Sequence, residues 1–177
     1  MPTGPSGRRP SERVLRPAAR AQLLGLAAAA VTVAAFFLPW MDGAQPLRFH
    51  SFSGFDFARL IRNFEITAES QSEAGQIRAT ALMMYLSPAL VVNVAILWLL
   101  ETPVGIPARA VAAATVGAAA YGLSVLGVLW FLSVVHVNDF AMVVGAPRYG
   151  FLISALGCAV LLAVGLARLP HRRKAER

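Results

Sequence analysis

The side chains that could carry metal or proton chemistry lie outside the apolar runs of the sequence. The histidines are His50, His136 and His171, and His171 belongs to a basic tail. His50 and His136, with Asp56 and Asp139, fall in segments that we expect on one side of a membrane, where they could form a metal or proton-relay site. Their spacing matches no metal motif, and loop residues of this kind are usually solvated. We therefore expect no metal, and an outer-face site of His50, His136 and Asp139 stays an open alternative.

No other group of residues resembles a catalytic apparatus. The chain has one cysteine, Cys158, so neither a disulfide framework nor a Cys-x-x-Cys redox pair can form within it. It contains no Gly-rich phosphate loop, no serine nucleophile elbow and no pair of carboxylates inside an apolar run. The sequence therefore predicts a non-enzymatic protein without a cofactor.

The second apolar run contains the strongest candidate for a polar site. Pro88 removes one backbone hydrogen bond and clashes with the carbonyl four residues earlier, which predicts a kink or local unwinding. Tyr85 and Ser87 could satisfy the freed groups, and Asn93 carries an amide that should turn inward or toward a partner. Two interpretations stay open: a ligand or ion position beside a broken helix, or an interhelical hydrogen bond that fixes packing.

The elements that must position these residues are helices that cross a membrane. The chain has 177 residues, of which 57% are hydrophobic and 14% charged, and its mean hydropathy is +0.61. A bilayer core about 30 Å thick needs about 20 mostly apolar residues in a helix. Four runs meet that length, so we predict an all-α membrane protein with a bundle of four transmembrane helices. The predicted spans are 21–40, 79–100, 111–135 and 149–169.

The charge distribution predicts how these spans are oriented. Most of the formal net charge of +7 comes from two Arg-rich tails, 1–19 and 170–177, and basic flanks stay on the cytoplasmic side. An even number of spans places both tails there, so we expect an N-in, C-in protein of the bacterial inner membrane with a disordered first tail. Because the charge flanks lipid-length segments, we expect membrane lipids and no nucleic acid as partners.

The predicted outer loop, 41–78, is too long to lack structure of its own. Its apolar residues recur with the i, i+3, i+4, i+7 spacing of one helix face, which predicts an amphipathic helix over about 56–66; they are Phe57, Leu60, Ile61 and Phe64. Ser53 and Asp56 have the spacing of a capping box at its start. A helix this short is marginal alone, so we expect it to dock on the bundle or to lie flat on the membrane surface.

Small residues recur every four positions in the last two spans. They are Ala114, Ala118 and Gly122 in the third, and Ala155, Ala159 and Ala163 in the fourth. Close approach of small residues drives helix association in lipid. We therefore predict that these two ladders pack the third span against the fourth.

Three short motifs carry a resemblance to a known layout. The first span ends in "LPW", the outer loop contains "SGFD", and the fourth span opens with "YGFLISALG". In these motifs the chain resembles a group of uncharacterised small bacterial four-helix inner-membrane proteins. The resemblance implies the tetraspan layout and no activity.

Together these observations predict an accessory or scaffold subunit that contacts a protein partner or forms a homo-oligomer. The alternative is a small transporter or lipid-handling protein, with a cavity lined by residues of the kinked second span and gated by the outer helix.

Overall fold

The computed structural model describes residues 17–43, 51–64, 71–134 and 144–169. His50, His136, Asp139, His171 and most of both tails lie outside these ranges. The described chain folds into five helices and three short strands, which are α1 (Pro17–Ala35), β1 (Pro39–Gly43), β2 (Ser51–Ser53), α2 (Gly54–Phe64), α3 (Gln71–Val104), α4 (Ala108–Val134), β3 (Val144–Pro147) and α5 (Tyr149–Arg168).

The four longer helices pack side by side in a ring. Helix α1 contacts α3 and α5, and α4 contacts α3 and α5. Three of them contain segments long and apolar enough to cross a membrane, namely Arg78–Val104, Ala108–Phe131 and Tyr149–Arg168, while the apolar part of α1, Ala19–Ala35, is shorter. This largely helical architecture, with its apolar helices, is that of a multi-pass membrane protein.

Helix α1 ends earlier than the predicted first span. Phe36, Phe37 and Leu38 donate backbone N–H bonds of 3.1, 3.0 and 3.1 Å to carbonyls three residues earlier, so the helix tightens into a final 3₁₀-type turn. Pro39 then favours extended backbone before it, and strand β1 begins there. The apolar sequence continues, but the helix does not.

A three-stranded sheet, which the sequence did not predict, lies beyond the end of α1. Its order is β2-β1-β3, and both pairings are antiparallel. The N–H of Arg148, which precedes α5, donates to the carbonyl of Trp40 in β1 at 2.7 Å. Next to the sheet, the N–H of Phe55 in α2 donates to the carbonyl of Phe36, just after α1, at 3.2 Å. Strands of three to five residues are too short for an alternating pattern to be recognised.

Helix α2 completes a cap on this end of the bundle; we call the sheet and α2 together the cap. Helix α2 begins at Gly54 and ends at Phe64, close to the predicted 56–66. Phe57, Ala58 and Ile61 are buried and Leu60 is half-buried against the bundle. Helix α2 is therefore docked on the protein, mainly on α3. The side chain of Phe64 lies outside the described part.

A capping box starts α2, as the spacing of its residues predicted. The Asp56 N–H donates to Ser53 Oγ at 3.1 Å, and Asp56 Oδ2 accepts from the Ser53 N–H at 3.2 Å and from Ser53 Oγ at 2.6 Å. These bonds satisfy amide donors that a helix start leaves unpaired. Aspartate thus accepts the hydrogen bonds that Glu or Gln usually accepts at this position.

The predicted contact face of the fourth span needs correction. Ala118 and Gly122 of α4 are buried and Ala114 is half-buried, but Ala159 and Ala163 of α5 are exposed. The buried face of α5 follows a neighbouring set of positions, which are Gly150, Phe151, Ser154, Gly157, Cys158, Leu161, Val164 and Gly165. The spacing of the alanines was right for a helix face, but the rotation of α5 places another face inward; Ala155 is half-buried at its border.

Candidate functional sites

A small cavity, lined mainly by apolar surface, lies inside the bundle beside Pro88. Its polar lining comes from three helices and consists of Thr32, Ser87, Ser154 and Cys158; the apolar lining is Phe36, Trp40, Val125 and Leu126. The free volume for the centre of a water molecule is about 10 Å³, which matches the smallest space that can hold one water. The cavity is therefore too small for a substrate.

Glycines allow the polar groups around this cavity to lie close to the neighbouring helices. The Thr32 hydroxyl donates to the carbonyl of Ala28 at 2.8 Å within α1, and a Cβ on Gly157 would lie directly against Thr32 Oγ1. A Cβ on Gly122 would lie 2.8 Å from Cys158 Sγ and 3.2 Å from Ser87 Oγ. These contacts make the centre of the bundle a tight polar junction of all four helices.

The four residues predicted to share a site on the second span are not brought together. Helix α3 runs through Pro88 without a break. Ser87 and Pro88 line the central cavity, whereas Tyr85 lines a surface groove. Ser87 and Tyr85 are about 200° apart around the helix axis, so they cannot face the same space.

Asn93 matches neither interpretation of the sequence within this chain. It is exposed, and its Nδ2 donates to the carbonyl of Ala89, one turn earlier on the same helix, at 2.8 Å. The side-chain amide of Asn93 thus finds its hydrogen-bond acceptor within α3. It makes no interhelical bond in the described part of the chain and does not line the cavity.

The surface groove lies between α2 and α3, at the capped end. Arg62, Arg78, Ala81, Leu82 and Tyr85 line it, and its volume is about 350 Å³. Arg62 and Arg78 are exposed, and Leu82 is 65% exposed. The groove therefore combines two cations with an apolar floor.

Aromatic rings hold one wall of this groove in place. The ring of Tyr85 lies edge-on to Phe55 at 5.8 Å between centroids, and Phe55 stacks on Phe37 at 5.9 Å. Such geometries are favourable for aromatic pairs. Helix α2, which carries Phe55, and the last turn of α1 thus position Tyr85.

The opposite end of the bundle is closed by polar contacts that the sequence did not predict. The guanidinium of Arg168 donates to both carboxylate oxygens of Glu101, at 2.9 and 2.7 Å, and lies 4.6 Å from the centroid of the Trp98 ring. The indole N–H of Trp98 donates to Thr115 Oγ1 at 2.9 Å, and Gln22 Nε2 donates to the Trp98 carbonyl at 2.7 Å. This cluster, which we call the Trp98 cluster, links α1, α3, α4 and α5.

One sequence signal could have revealed part of this cluster. Glu101 directly follows the predicted second span, and Arg168 lies in the last turn of the predicted fourth span. Both positions were expected on the same side of the membrane, so an ion pair between these two opposite charges could have been predicted. The contacts of Trp98 had no such signal, because they depend on the rotation of each helix.

Helix α4 also carries a row of small residues on its outer face. Its members are exposed and alternate in spacing between four and three residues; they are Ala113, Gly117, Ala120, Ser124 and Gly127. A Cβ at Gly117 or Gly127 would meet no other atom within 4 Å. We call this row the α4 seam, and it is distinct from the buried Ala118 and Gly122.

The described chain is a helical bundle with one end capped and the other closed by the Trp98 cluster, and three of its helices are long and apolar enough to cross a membrane. In the described part, no group of three or more His, Cys, Asp or Glu side chains is placed to hold a metal ion. No family model, curated protein or solved structure matches the chain. The resemblance to small bacterial four-helix proteins therefore stays a prediction.

Proposed function

We propose that this chain is a tetraspan protein of the bacterial inner membrane that acts as a non-enzymatic accessory or scaffold subunit. Its outer helix faces contact another membrane protein or a second copy of the chain. The proposal is supported by the surface of the bundle, which offers a packing face, and by its interior, where the central cavity has room for about one water molecule.

The length of α1 supports four spans. Its 19 residues extend about 28 Å at about 1.5 Å per residue, and Phe36, Phe37 and Leu38 continue the apolar run. That is close to the thickness of a bilayer core, about 30 Å. With four spans, the basic tails share the cytoplasmic side with the Trp98 cluster, and the cap faces outward.

The α4 seam is the observation that carries the scaffold proposal. In lipid, helices associate where small residues let their backbones approach closely. Residues spaced alternately by three and four positions stay on the face that contacts the partner along a left-handed pair of helices. Because the seam residues of α4 are exposed, the seam is available to a helix of another chain.

The alternative function, transport through a cavity beside Pro88, has less support. The cavity there has room for about one water molecule, and Asn93 lies outside it. The lipid-handling part of that alternative has an observation of its own, the groove between α2 and α3.

The seam is tested by purifying the tagged protein from its native membrane in mild detergent. We expect a second copy or a stoichiometric protein partner, identified by light scattering and mass spectrometry. Ala120→Leu, in the seam, should remove that partner because the larger side chain holds the backbones apart. Ala159→Leu is the matched control, because Ala159 is exposed on α5.

Two outcomes would contradict the proposal. One is a wild-type protein that purifies as a monomer without a protein partner. The other is equal loss of the partner in both variants, which would show a general effect on folding or insertion in place of a contact at the seam.

A further inference from the structure

We propose that the groove between α2 and α3 binds the headgroup of an anionic phospholipid. Arg62 and Arg78 hold the phosphate, and Tyr85 and Leu82 lie along the glycerol and the upper acyl chain. This site goes beyond the scaffold function and does not depend on it, because it uses α2 and α3 and leaves the α4 seam uncovered.

The charge of the groove indicates the kind of ligand. Two of its five described lining residues are arginines, and Arg78 also interacts with another part of the chain. A guanidinium presents a planar fork of donors that matches phosphate oxygens, and it sheds its hydration more readily than an ammonium. The arginines come from different helices, so a phosphate between them would also bridge the cap to the bundle.

The depth of the groove places it at a membrane surface. Arg78 is the first residue of the apolar segment Arg78–Val104, which at 27 residues is longer than the hydrocarbon core needs, so Arg78 belongs with the headgroups at the edge of that core. Leu82 and Tyr85 follow about 6 and about 10 Å further along the helix axis. Cations thus lie at the headgroup level and apolar groups below them, in the order of a phospholipid.

The remaining lining fits the part of a lipid below its phosphate. Leu82 is 65% exposed on a helix face that lipid would contact. Tyr85 presents an apolar ring and a polar tip, as aromatic residues do at membrane interfaces, and Phe55 holds that ring edge-on. The volume of about 350 Å³ lies in the range of small-ligand pockets and is enough for a headgroup with its glycerol.

A soluble phosphate would use only the mouth of this groove. Leu82 and Ala81 would then gain no contact, and the site would keep an apolar floor without an occupant. The continuity of the arginines with Leu82 and Tyr85 therefore favours a lipid over a free anion.

The test is a lipid titration followed by native mass spectrometry of the full-length protein in detergent. Phosphatidylglycerol is compared with phosphatidylcholine of the same acyl chains, and a separate series contains inorganic phosphate as competitor. The variants are Arg62→Gln and the double variant Arg62→Gln/Arg78→Gln. The matched control is Arg59→Gln, because Arg59 is exposed on α2 and does not line the described groove.

We expect phosphatidylglycerol to bind the wild-type protein more tightly than phosphatidylcholine. The apparent Kd for phosphatidylglycerol should rise at least about tenfold in the double variant and by a smaller factor in Arg62→Gln. The control should stay within about twofold, and inorganic phosphate at millimolar concentration should leave the bound lipid in place. Thermal unfolding of each variant establishes that the fold is intact, and Arg62→Gln alone suffices if the double variant unfolds.

Three results would overturn the proposal. They are equal affinity for the two lipids, equal weakening by Arg59→Gln and by Arg62→Gln, and displacement of the lipid by inorganic phosphate, which would assign the groove to a soluble anion. None of them would affect the scaffold function, whose test is the partner bound at the α4 seam.

Discussion

Single residues determine how tightly each end of the bundle closes. At the capped end, Trp40 is buried, its ring lies edge-on to Phe36 at 5.3 Å, and its indole N–H donates to the carbonyl of Ala35 at 2.8 Å. The same carbonyl accepts the backbone N–H of Leu38 at 3.1 Å, so Trp40 adds a second hydrogen bond at the end of α1. Gly54 lies against the same rings, and a Cβ there would come within 2.7 Å of Trp40 and 2.8 Å of Phe36.

This contact predicts different effects of the same substitution at two glycines. Gly54→Ala should lower the free energy of unfolding by about 1–3 kcal/mol, because the new methyl group overpacks buried rings. Gly75→Ala should raise it by about 0.5–1 kcal/mol, because Gly75 is inside α3 and a Cβ there would meet no other atom within 4 Å. Thermal unfolding in detergent measures both. Equal changes in the two variants would show that Gly54 does not need its small size.

The ion pair between Glu101 and Arg168 closes the opposite end of the bundle. Their side chains are only 14% and 16% exposed, so neither charge is well hydrated without the other. Glu101→Gln should lower the free energy of unfolding by about 2 kcal/mol, because it weakens two charge-assisted hydrogen bonds and leaves the Arg168 cation against Trp98 without a counter-charge. The measurement is the midpoint of thermal unfolding.

A charge exchange provides the control for this ion pair. The double variant Glu101→Arg/Arg168→Glu should recover part of the loss caused by either single reversal, since opposite charges still face each other. If Glu101→Gln is as stable as the wild-type protein, the ion pair does not hold α3 to α5.

At the scale of elements, the sequence predicted what is encoded locally. The capping box needs only Ser53 and Asp56, three positions apart, and the buried face of α2 follows from a periodicity within one turn or two. The capping box and the buried face of α2 could therefore be predicted from the sequence. The sheet β2-β1-β3 and the inward face of α5 depend on contacts between segments far apart in sequence, and a uniformly apolar helix such as α5 carries little information on which face turns inward.

The capping box also predicts how α2 responds to mutation. Asp56→Ala should cost about 1 kcal/mol, because it removes the acceptor for the N–H and hydroxyl of Ser53. Amide hydrogen exchange in the first turn of α2 should accelerate more than exchange in α3. Asn63→Ala is the control, since Asn63 is exposed near the end of the same helix; a similar acceleration there would contradict a specific role of the cap.

At the scale of the whole molecule, the two ends of the bundle are closed by different kinds of interaction. The capped end is closed by buried aromatic and aliphatic side chains of α2, α3, α4 and α5, together with Phe36 after α1 and Trp40 in β1. The opposite end uses an ion pair, an indole hydrogen bond and an amide. Helix α1 begins and helix α5 ends at the end with polar contacts. This asymmetry fits a protein whose cap faces an outer headgroup layer and whose tails stay in the cytoplasm.

The orientation itself can be measured with single cysteines and a membrane-impermeant maleimide on intact cells. Native Cys158 is only 1% exposed, so it should react little and can be retained. Cysteine at Ser51, exposed in strand β2 of the cap, should be labelled in intact cells. Cysteine at Ala108, exposed at the start of α4, should be labelled only after the membrane is permeabilised. The reverse pattern would place the basic tails outside, and labelling of both positions in intact cells would exclude four spans with the cap and the α3–α4 link on opposite sides.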